Sequence, residues 1–250
     1  MVIKTTLPDY LYHYTSLESL VEILKSRKLR FSSLLKVDDA EEMQTSTNSN
    51  IGKYCFVSSW TDIKEESIPF WSMYTNNMEG VRIKLHTLPF AEIHPGIFYP
   101  VELLESSEFF SYIPMPFCRR VIYTEDKDLL YLKDITKATH VGEDNYIDIE
   151  GNFIEVGLYK RKCWEFQSEW RYNMFFIPHD VDGKIQLDIS KDNINIKFSI
   201  YDLPIEEEYF NEIEIMTGPR MNIKEKEKLK VIAGSYCKNI KIISSELKIK

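Results

Sequence analysis

The spacing of apolar residues changes along the chain between a period of two and a period near 3.6, which predicts strands mixed with helices. The aromatic segment 10–14 predicts a strand that ends at Thr15. Thr15 and Glu18 have the spacing of a capping box, and we expect them to fix the start of a helix. The apolar stripe of this helix recurs at i, i+3, i+4 and i+7: Leu17, Leu20, Val21 and Leu24.

Similar patterns predict the remaining elements. Strands are expected where β-branched and aromatic residues cluster or alternate with polar ones: 29–32, 54–60, 80–85, 120–123, 169–176, 212–216 and 239–243. Helices are expected at 68–74, around 128–137, and over a late apolar stripe of Leu229, Ile232, Ala233 and Tyr236. Because strands outnumber helices and the two are mixed irregularly, the sequence predicts an α+β fold with a largely antiparallel sheet system.

Neither a repeat nor a long linker interrupts the chain, so its 250 residues are expected to form a single domain, 1–250. The segment 89–152 has the least regular pattern, and we interpret it as an insertion or as a segment that covers a cleft. Hydrophobic residues make up 44% of the chain, enough for a substantial core, whereas 28% charged residues argue against disorder and against a membrane-embedded protein.

The formal net charge of -8 disfavours a dedicated nucleic-acid coat protein, because phosphate binding depends on an excess of Lys and Arg. It leaves open a local basic groove in an enzyme that acts on nucleic acid. The four cysteines are widely separated, which indicates neither a disulfide framework nor a zinc motif. The sequence shows no signal peptide and no apolar run of about 18 residues, so we expect a cytoplasmic protein without a membrane partner.

Common catalytic motifs are absent from the sequence. It contains no P-loop, GxSxG, HExxH or dinucleotide-binding fingerprint, so the usual phosphoryl-transfer, α/β-hydrolase and zincin chemistries have no support. The acidic cluster at 38–42 lacks the glycine and the spacing of a calcium loop. We interpret it as a solvated turn or as charges at a helix N-terminus, with no metal. Gly218-Pro219-Arg220 is either a structural turn or an anion site before a helix.

His13 and Glu169 are the two positions with the strongest candidate chemistry. His13 ends the first strand, where its imidazole could contact a ligand hydroxyl; the alternative is a half-buried histidine bonded to a backbone carbonyl. Gln167 and Glu169 would share one face of an extended segment, where the carboxylate could stabilise a positively charged transition state. The alternative there is a strand-face ion pair between Glu169 and Arg171.

Trp71 and Tyr74 stand three residues apart, on one face of the helix predicted at 68–74. They could form a stacking platform for a ring. An aromatic pair at helical spacing can equally belong to the core.

Several segments together resemble a bacterial family, the domain-of-unknown-function family 2971. They follow the family order over about residues 10–220: Tyr12-His13-Tyr14-Thr15-Ser16, Asp38-Asp39-Ala40-Glu41-Glu42, Cys55-Phe56-Val57-Ser58, Trp71 and Tyr74 before Gly80-Val81, Tyr159-Lys160, Trp164 to Arg171, and Gly218-Pro219. The chain departs from the family in the acidic turn, where the family usually has Asn-Asp-Pro. It departs again at Gln167, where the family usually has Glu.

The opening of the chain also resembles, more distantly, the ADP-ribosyltransferases, such as poly-ADP-ribose polymerases and DarT-like toxins. The similarity lies in Tyr12-His13-Tyr14-Thr15 and in the helix and extended piece that follow, 23–30. Those enzymes use a His, Tyr and Glu constellation on a split pair of antiparallel sheets. The resemblance therefore implies an ADP-ribosyltransferase-like fold with flanking helices and NAD as co-substrate, without a metal.

The same resemblance implies a cofactor site. His13 would hold the ribose of NAD, with Tyr14 and Thr15 beside it. Tyr74 would stack on nicotinamide, and Trp71 is a further cofactor-binding candidate that competes with it, as does Tyr54.

The resemblance also implies roles on the acceptor side. Glu169 would be catalytic together with His13 and Tyr74: it would stabilise the ribosyl cation and orient the acceptor. Gln167 and Arg171 would bind the substrate, Gln167 by helping to choose the acceptor.

We therefore expect an NAD-dependent ADP-ribosyltransferase that modifies nucleic acid or protein. The resemblance suggests a toxin or phage-defence effector with an antitoxin or defence-system partner. Two alternatives remain: an NAD glycohydrolase with water as acceptor, and a non-catalytic ligand-binding or interaction module on the same fold.

Overall fold

A computed structural model describes residues 6–42, 51–90, 99–101, 109–112, 117–131, 137–141, 146–150, 155–179, 198–237 and 240–249. Its α-helices are α1 (Leu17–Ser26), α2 (Ile68–Tyr74), α3 (Lys127–Leu130), α4 (Glu207–Asn211) and α5 (Ile223–Tyr236). Its strands are β1 (Tyr10–Thr15), β2 (Lys28–Ser33), β3 (Cys55–Thr61), β4 (Val81–His86), β5 (Tyr99–Val101), β6 (Phe109–Tyr112), β7 (Phe117–Arg120), β8 (Ile122–Thr124), β9 (Lys137–Val141), β10 (Tyr146–Glu150), β11 (Tyr159–Arg161), β12 (Glu169–His179), β13 (Ile200–Pro204), β14 (Glu214–Thr217) and β15 (Lys241–Ser244). Short 3₁₀ helices occur at Leu34–Lys36, Ile51–Tyr54 and Lys162–Gln167.

One sheet of eleven strands dominates the described part of the chain. Its main path runs β15-β14-β4-β1-β3-β12-β6-β5, and β2, β7 and β13 attach beside it. Within this sheet only β14 and β15 pair in parallel. The separate pairs are β9 with β10, which is antiparallel, and β8 with β11, which is parallel. The predicted α+β class with a mostly antiparallel sheet is confirmed.

The two edges of β3 are paired differently, and this difference opens the sheet. On one edge, the whole length of β3 is paired with the first part of β12, from Glu169 to Phe175. On the opposite edge, β2 pairs with Phe56 and Val57, whereas β1 meets β3 only at Thr61. β1 and β2 therefore diverge, and residues 58–60 face the gap between them.

Helix α1 lies against the sheet through its predicted apolar stripe. Leu20 and Leu24 are fully buried and belong to the core cluster that includes Leu11 of β1 and Phe31 of β2. Full burial of one such side chain stabilises the fold by about 1.5–3 kcal/mol. The helix therefore holds together the two strands that diverge.

The cap of α1 differs from the predicted capping box. Ser16 is the N-cap, and its side chain accepts a hydrogen bond from the backbone N–H of Ser19 (3.1 Å). Thr15 cannot take this role because it is the last residue of β1, where it pairs with Val81. The predicted position of the cap is thus wrong by one residue.

The middle of the chain is more strand-rich than predicted. The expected single strand at 120–123 is interrupted at Val121, because β7 pairs with β12 whereas β8 pairs with β11. The expected helix at 128–137 is limited to α3, and Lys137 begins β9; residues 132–136 lie outside the described part. Within the segment 89–152, β5, β6 and β7 extend the large sheet.

The turn Gly218-Pro219-Arg220 is structural. The N–H of Gly218 donates to the carbonyl of Gly80 (2.8 Å), and the N–H of Arg220 donates to the carbonyl of Met78 (3.2 Å). The Arg220 guanidinium donates to Asn77 (2.9 Å). These amides already have protein partners, so the turn does not offer them to an anion.

Among the described helices, none combines the length and the apolar character that a bilayer span requires.

Candidate functional site

A cleft with a volume of about 810 Å³ lies where β1 and β2 diverge. This volume falls within the range of roughly 300–1,000 Å³ that is common for small-molecule and cofactor sites. Its walls come from β1, α1 and β2, and β3 and the start of β12 contribute to its interior. The cleft brings together His13, Tyr74 and the neighbouring pair Gln167 and Glu169, which come from three distant parts of the sequence.

His13 is half-buried in the cleft, with its ring next to Trp60 at a centroid distance of 5.0 Å. Its Nδ1 lies 2.8 Å from the carbonyl oxygen of Ser59. A carbonyl can only accept, so Nδ1 carries the proton and Nε2 is left as an acceptor in the neutral ring. Burial lowers the pKa of His13 and outweighs the hydrogen bond to Ser59, which favours protonation. The alternative interpretation, a half-buried histidine bonded to a backbone carbonyl, therefore describes the contact of Nδ1. Nε2 keeps its lone pair.

Glu169 is the first residue of β12, and its carboxylate is buried in an ionic network. Oε1 accepts from Nε of Arg171 (2.5 Å), and Oε2 accepts from Nζ of Lys160 (3.0 Å). Burial alone would raise the pKa of Glu169, but the positive charges of Arg171 and Lys160 outweigh it and hold the pKa at about 2. The carboxylate is therefore ionised at neutral pH.

Glu42 completes this network from the acidic turn. Its carboxylate accepts from both terminal nitrogens of Arg171, with NH2 at 2.9 Å from Oε1, and lies 3.2 Å from Nζ of Lys160. The interpretation of the turn as solvated is wrong for Asp39 and Glu42, which are 7% and 8% exposed. Two carboxylates and two cations make the buried cluster neutral in total.

Arg171, the expected substrate-binding residue, lines the cleft, but its guanidinium is already bound by protein groups. Its side chain is 2% exposed, and its guanidinium is bound by Glu169, by Glu42 and by the carbonyl of Gly157 (2.9 Å). The guanidinium therefore holds Glu169 in place. The ion pair between Glu169 and Arg171 that the strand pattern left open exists, and it is buried.

Lys160 and Glu42 are the members of the site that the sequence analysis did not single out as functional. Glu42 is 118 residues from Lys160 and 127 from Glu169, so no local spacing connects them. The only signal available was that both the acidic turn and Tyr159-Lys160 belong to the resemblance motifs.

The sequence predicts an extended segment at Gln167, and this prediction is wrong. Gln167 lies at the end of the 3₁₀ helix Lys162–Gln167. Ser168 follows in the left-handed conformation (φ 40°) and starts the change of direction into β12. Gln167 is buried; its Oε1 accepts from Lys160 (2.9 Å) and its Nε2 donates to the hydroxyl of Tyr74 (2.6 Å). Its amide thus connects the ionic network with the aromatic side of the cleft.

The aromatic candidates on α2 have different environments. Tyr74 is half-buried and lines the cleft, whereas Trp71 is completely buried, packs edge-on against Tyr14 and donates from Nε1 to Glu66 (3.1 Å). The expectation that Trp71 binds a cofactor therefore disagrees with the structure, because no face of its ring is accessible. Tyr54 is also buried, at 3% exposure.

Tyr14 and Thr15 both border the cleft but are mostly covered. Tyr14 stacks on Phe70 at a centroid distance of 4.9 Å, and its hydroxyl accepts from the N–H of Ser67 (3.2 Å). Their side chains form the wall behind His13 more than a free binding surface.

The cleft offers an acceptor at His13 and a hydroxyl at Tyr74, which suit a ligand that carries hydroxyl groups. Glu169 adds an ionised carboxylate to the lining, and both of its oxygens are paired with cations of the protein. Within the described residues, no group of three or more His, Cys, Asp or Glu side chains could hold a metal ion. Comparisons of the chain with models of protein families, with curated proteins and with solved structures find no match.

Proposed function

We propose that the protein is an NAD-dependent ADP-ribosyltransferase. The observation that carries this proposal is the convergence of His13, Tyr74 and Glu169 on one cleft, because these are the residues that the resemblance assigns to catalysis. The divergence of β1 and β2 along β3 further supports an ADP-ribosyltransferase-like arrangement of the sheet.

The proposed reaction exchanges one bond at C1 of the nicotinamide-bearing ribose. The bond to the nicotinamide nitrogen breaks, and its electron pair stays with nicotinamide, which leaves as a neutral molecule. A nucleophilic atom of the acceptor forms the new bond, and its proton is released to solvent. Such a departure needs a carboxylate near the ribosyl cation and hydrogen bonds to the ribose more than it needs a strong general acid.

Glu169 is suited to the electrostatic part of this reaction. Its low pKa keeps it charged, and it makes the carboxylate a weak base, so its role is to stabilise positive charge. Nε2 of His13 can accept a hydrogen bond from a ribose hydroxyl. Tyr74, on the wall of the cleft, can contact the nicotinamide end.

A specific observation favours a second candidate, a non-catalytic ligand-binding module. Both oxygens of Glu169 are held by cations, Arg171 on one and Lys160 on the other, and these charges oppose the stabilisation of a ribosyl cation. Glu42 cancels one of the two positive charges. A transferase therefore requires that Glu169 still stabilises the ribosyl cation although the cluster to which it belongs is neutral in total.

The resemblance to DarT-like toxins extends the proposal to a toxin or phage-defence effector. Its acceptor would be a nucleic acid or a protein, and an antitoxin or defence-system protein would be its partner. Expression of an active toxin should slow cell growth, and His13→Ala or Glu169→Gln should restore growth.

The direct test is transfer of label from adenylate-labelled NAD into cell lysate by the purified protein. Glu169→Gln is the preferred variant because it keeps the size of the side chain. Glu41→Gln is its matched control, since Glu41 lies on the acidic turn but binds Arg161 and Tyr131. We expect labelling by the wild type and by Glu41→Gln, and a decrease of roughly 100-fold or more in Glu169→Gln.

Digestion of the labelled product with nuclease or protease identifies the class of acceptor. Release of nicotinamide without labelling would replace the transferase by an NAD glycohydrolase. Binding of NAD without labelling or nicotinamide release would favour the non-catalytic module.

A further inference from the structure

Lys160 lies where each proton of its ammonium group has an acceptor. Nζ is 2.9 Å from Oε1 of Gln167, 3.0 Å from Oε2 of Glu169 and 3.2 Å from Oε1 of Glu42. An ammonium has three N–H donors and cannot accept. Its side chain is only 6% exposed, so these three acceptors and the ring of Trp164, whose centroid lies 4.8 Å from Nζ, determine its position more than water does.

This arrangement fixes the orientation of the Gln167 amide. Since the ammonium only donates, the amide atom that faces Lys160 must be the oxygen, and the nitrogen must face the other way. That nitrogen lies 2.6 Å from the hydroxyl oxygen of Tyr74. Gln167 is 4% exposed, which leaves little room for another orientation.

The hydroxyl of Tyr74 is consequently the acceptor in its contact with Gln167. The phenol keeps its own proton, which this contact does not use. Tyr74 is half-buried on the wall of the cleft, where an oxygen of a ligand can accept that proton. Burial raises the pKa of Tyr74, which keeps the phenol protonated at neutral pH.

We propose that Lys160, held by its counter-ion Glu42, is a positioning residue that makes Tyr74 a hydrogen-bond donor toward the ligand. On the proposed function the accepting oxygen belongs to NAD, so this role of Lys160 rests on that function. A carboxylate at position 167 would reverse the direction of the hydrogen bond with Tyr74, because a carboxylate only accepts and the phenol would have to donate to it. The phenol oxygen would then offer only its lone pairs to the ligand.

The orientation of Gln167 can be tested without a ligand. In ¹⁵N-labelled protein the side-chain amide of Gln167 gives a pair of resonances that Gln167→Glu removes and thereby assigns. Lys160→Met is made together with Glu42→Gln, so that the buried cluster stays neutral. We expect Tyr74→Phe to shift the pair and the double variant to broaden it and speed its exchange with solvent. If the resonances were unchanged both in Tyr74→Phe and in the double variant, the proposal would be overturned.

Titration with NAD tests the consequence for binding. Tyr74→Phe and Gln167→Glu should each weaken NAD binding by about three- to tenfold, as expected for one hydrogen bond. The combined variant should bind no more weakly than the weaker single variant, because both changes remove the same donor. Tyr159→Phe is the control, since its hydroxyl contacts Glu155 outside the cleft.

Losses that multiply in the combined variant would overturn the proposal. If the wild-type protein does not bind NAD, the proposed function fails, and the amide resonances alone decide whether Lys160 orients Gln167 and Tyr74.

Discussion

The imidazole of His13 on β1 donates a hydrogen bond to the carbonyl of Ser59 on β3, over 2.8 Å, beside the point where these strands stop pairing. This contact takes the place of a backbone hydrogen bond at the opening of the sheet. It also determines the tautomer of His13, because the carbonyl requires the proton on Nδ1. One hydrogen bond therefore both closes an exposed strand edge and leaves Nε2 as an acceptor in the cleft.

His13 is predicted to stay neutral when the pH falls through 6.5, its ordinary pKa, because burial lowers the pKa in the folded protein. Below that pH the unfolded chain binds a proton that the folded protein does not, so this residue makes the free energy of unfolding decrease as the pH falls. Titration of the His13 ring proton by NMR, assigned with His13→Ala, should give a midpoint below 6.5. A midpoint at or above that value would contradict the buried position of the ring.

Glu42 is predicted to be essential for folding stability. Glu42→Gln leaves two buried cations opposite one carboxylate, a loss that typically costs about 3–5 kcal/mol. Glu41→Gln removes a half-exposed ion pair on the same turn and should cost about 1 kcal/mol or less. Urea unfolding of the two variants measures the difference.

The double variant Glu42→Gln/Lys160→Met distinguishes charge from packing. It restores neutrality, with Glu169 opposite Arg171, and should therefore recover part of the stability that Glu42→Gln loses. Stability that falls further in the double variant would mean that the cluster acts through its shape and not through its charge.

Glu169 is predicted to make the folded protein sensitive to acid. Its pKa is about 2 in the folded protein and is ordinarily 4.5, so between these values the unfolded chain binds one proton more. The stability that this carboxylate contributes is present above pH 4.5 and is lost as the pH falls toward 2. One proton corresponds to a slope of about 1.4 kcal/mol per pH unit. The slope of unfolding free energy in this range should be smaller in Glu169→Gln, and an equal slope would refute the ionised, paired state.

Two glycines outside the candidate site give matched substitutions. A Cβ on Gly218 would lie 2.2 Å from the carbonyl oxygen of Met78, so Gly218→Ala should destabilise by about 1–3 kcal/mol. Gly234 in α5 has no atom within 4 Å of its Cβ position, so Gly234→Ala should stabilise by about 0.5–1 kcal/mol. Thermal unfolding should therefore move the two midpoints in opposite directions.

Local periodicity predicted β1, α2 and β12, the elements that carry His13, Tyr74 and Glu169. Helix α2 has the predicted bounds, Ile68–Tyr74, and the alternation from Glu169 onward forms β12. Both elements are determined by neighbours in the sequence, through apolar spacing and through Ser67, which caps α2. Periodicity assigned these residues to strands and a helix, whereas the choice of His13, Tyr74 and Glu169 as a catalytic set came from the resemblance to ADP-ribosyltransferases.

The ionic network could not be predicted in the same way. The pairing of Glu42 with Lys160 depends on how the acidic turn and β11 meet in space, and a run of acidic residues is more often solvated. The burial of Trp71 and the accessibility of Tyr74 likewise depend on tertiary packing, since both occur on the same short helix. Sequence spacing gives no information about either.

Calorimetric titration of NAD into the purified protein tests the central claim, that the cleft beside His13 is an NAD site. The wild type should bind one NAD per chain, and His13→Ala should bind it about tenfold or more weakly through loss of its hydrogen bond. His86→Ala is the control, because His86 stacks on Tyr209 outside the cleft and should leave the affinity unchanged. Absence of binding to the wild type, or equal affinity in His13→Ala, would contradict the account.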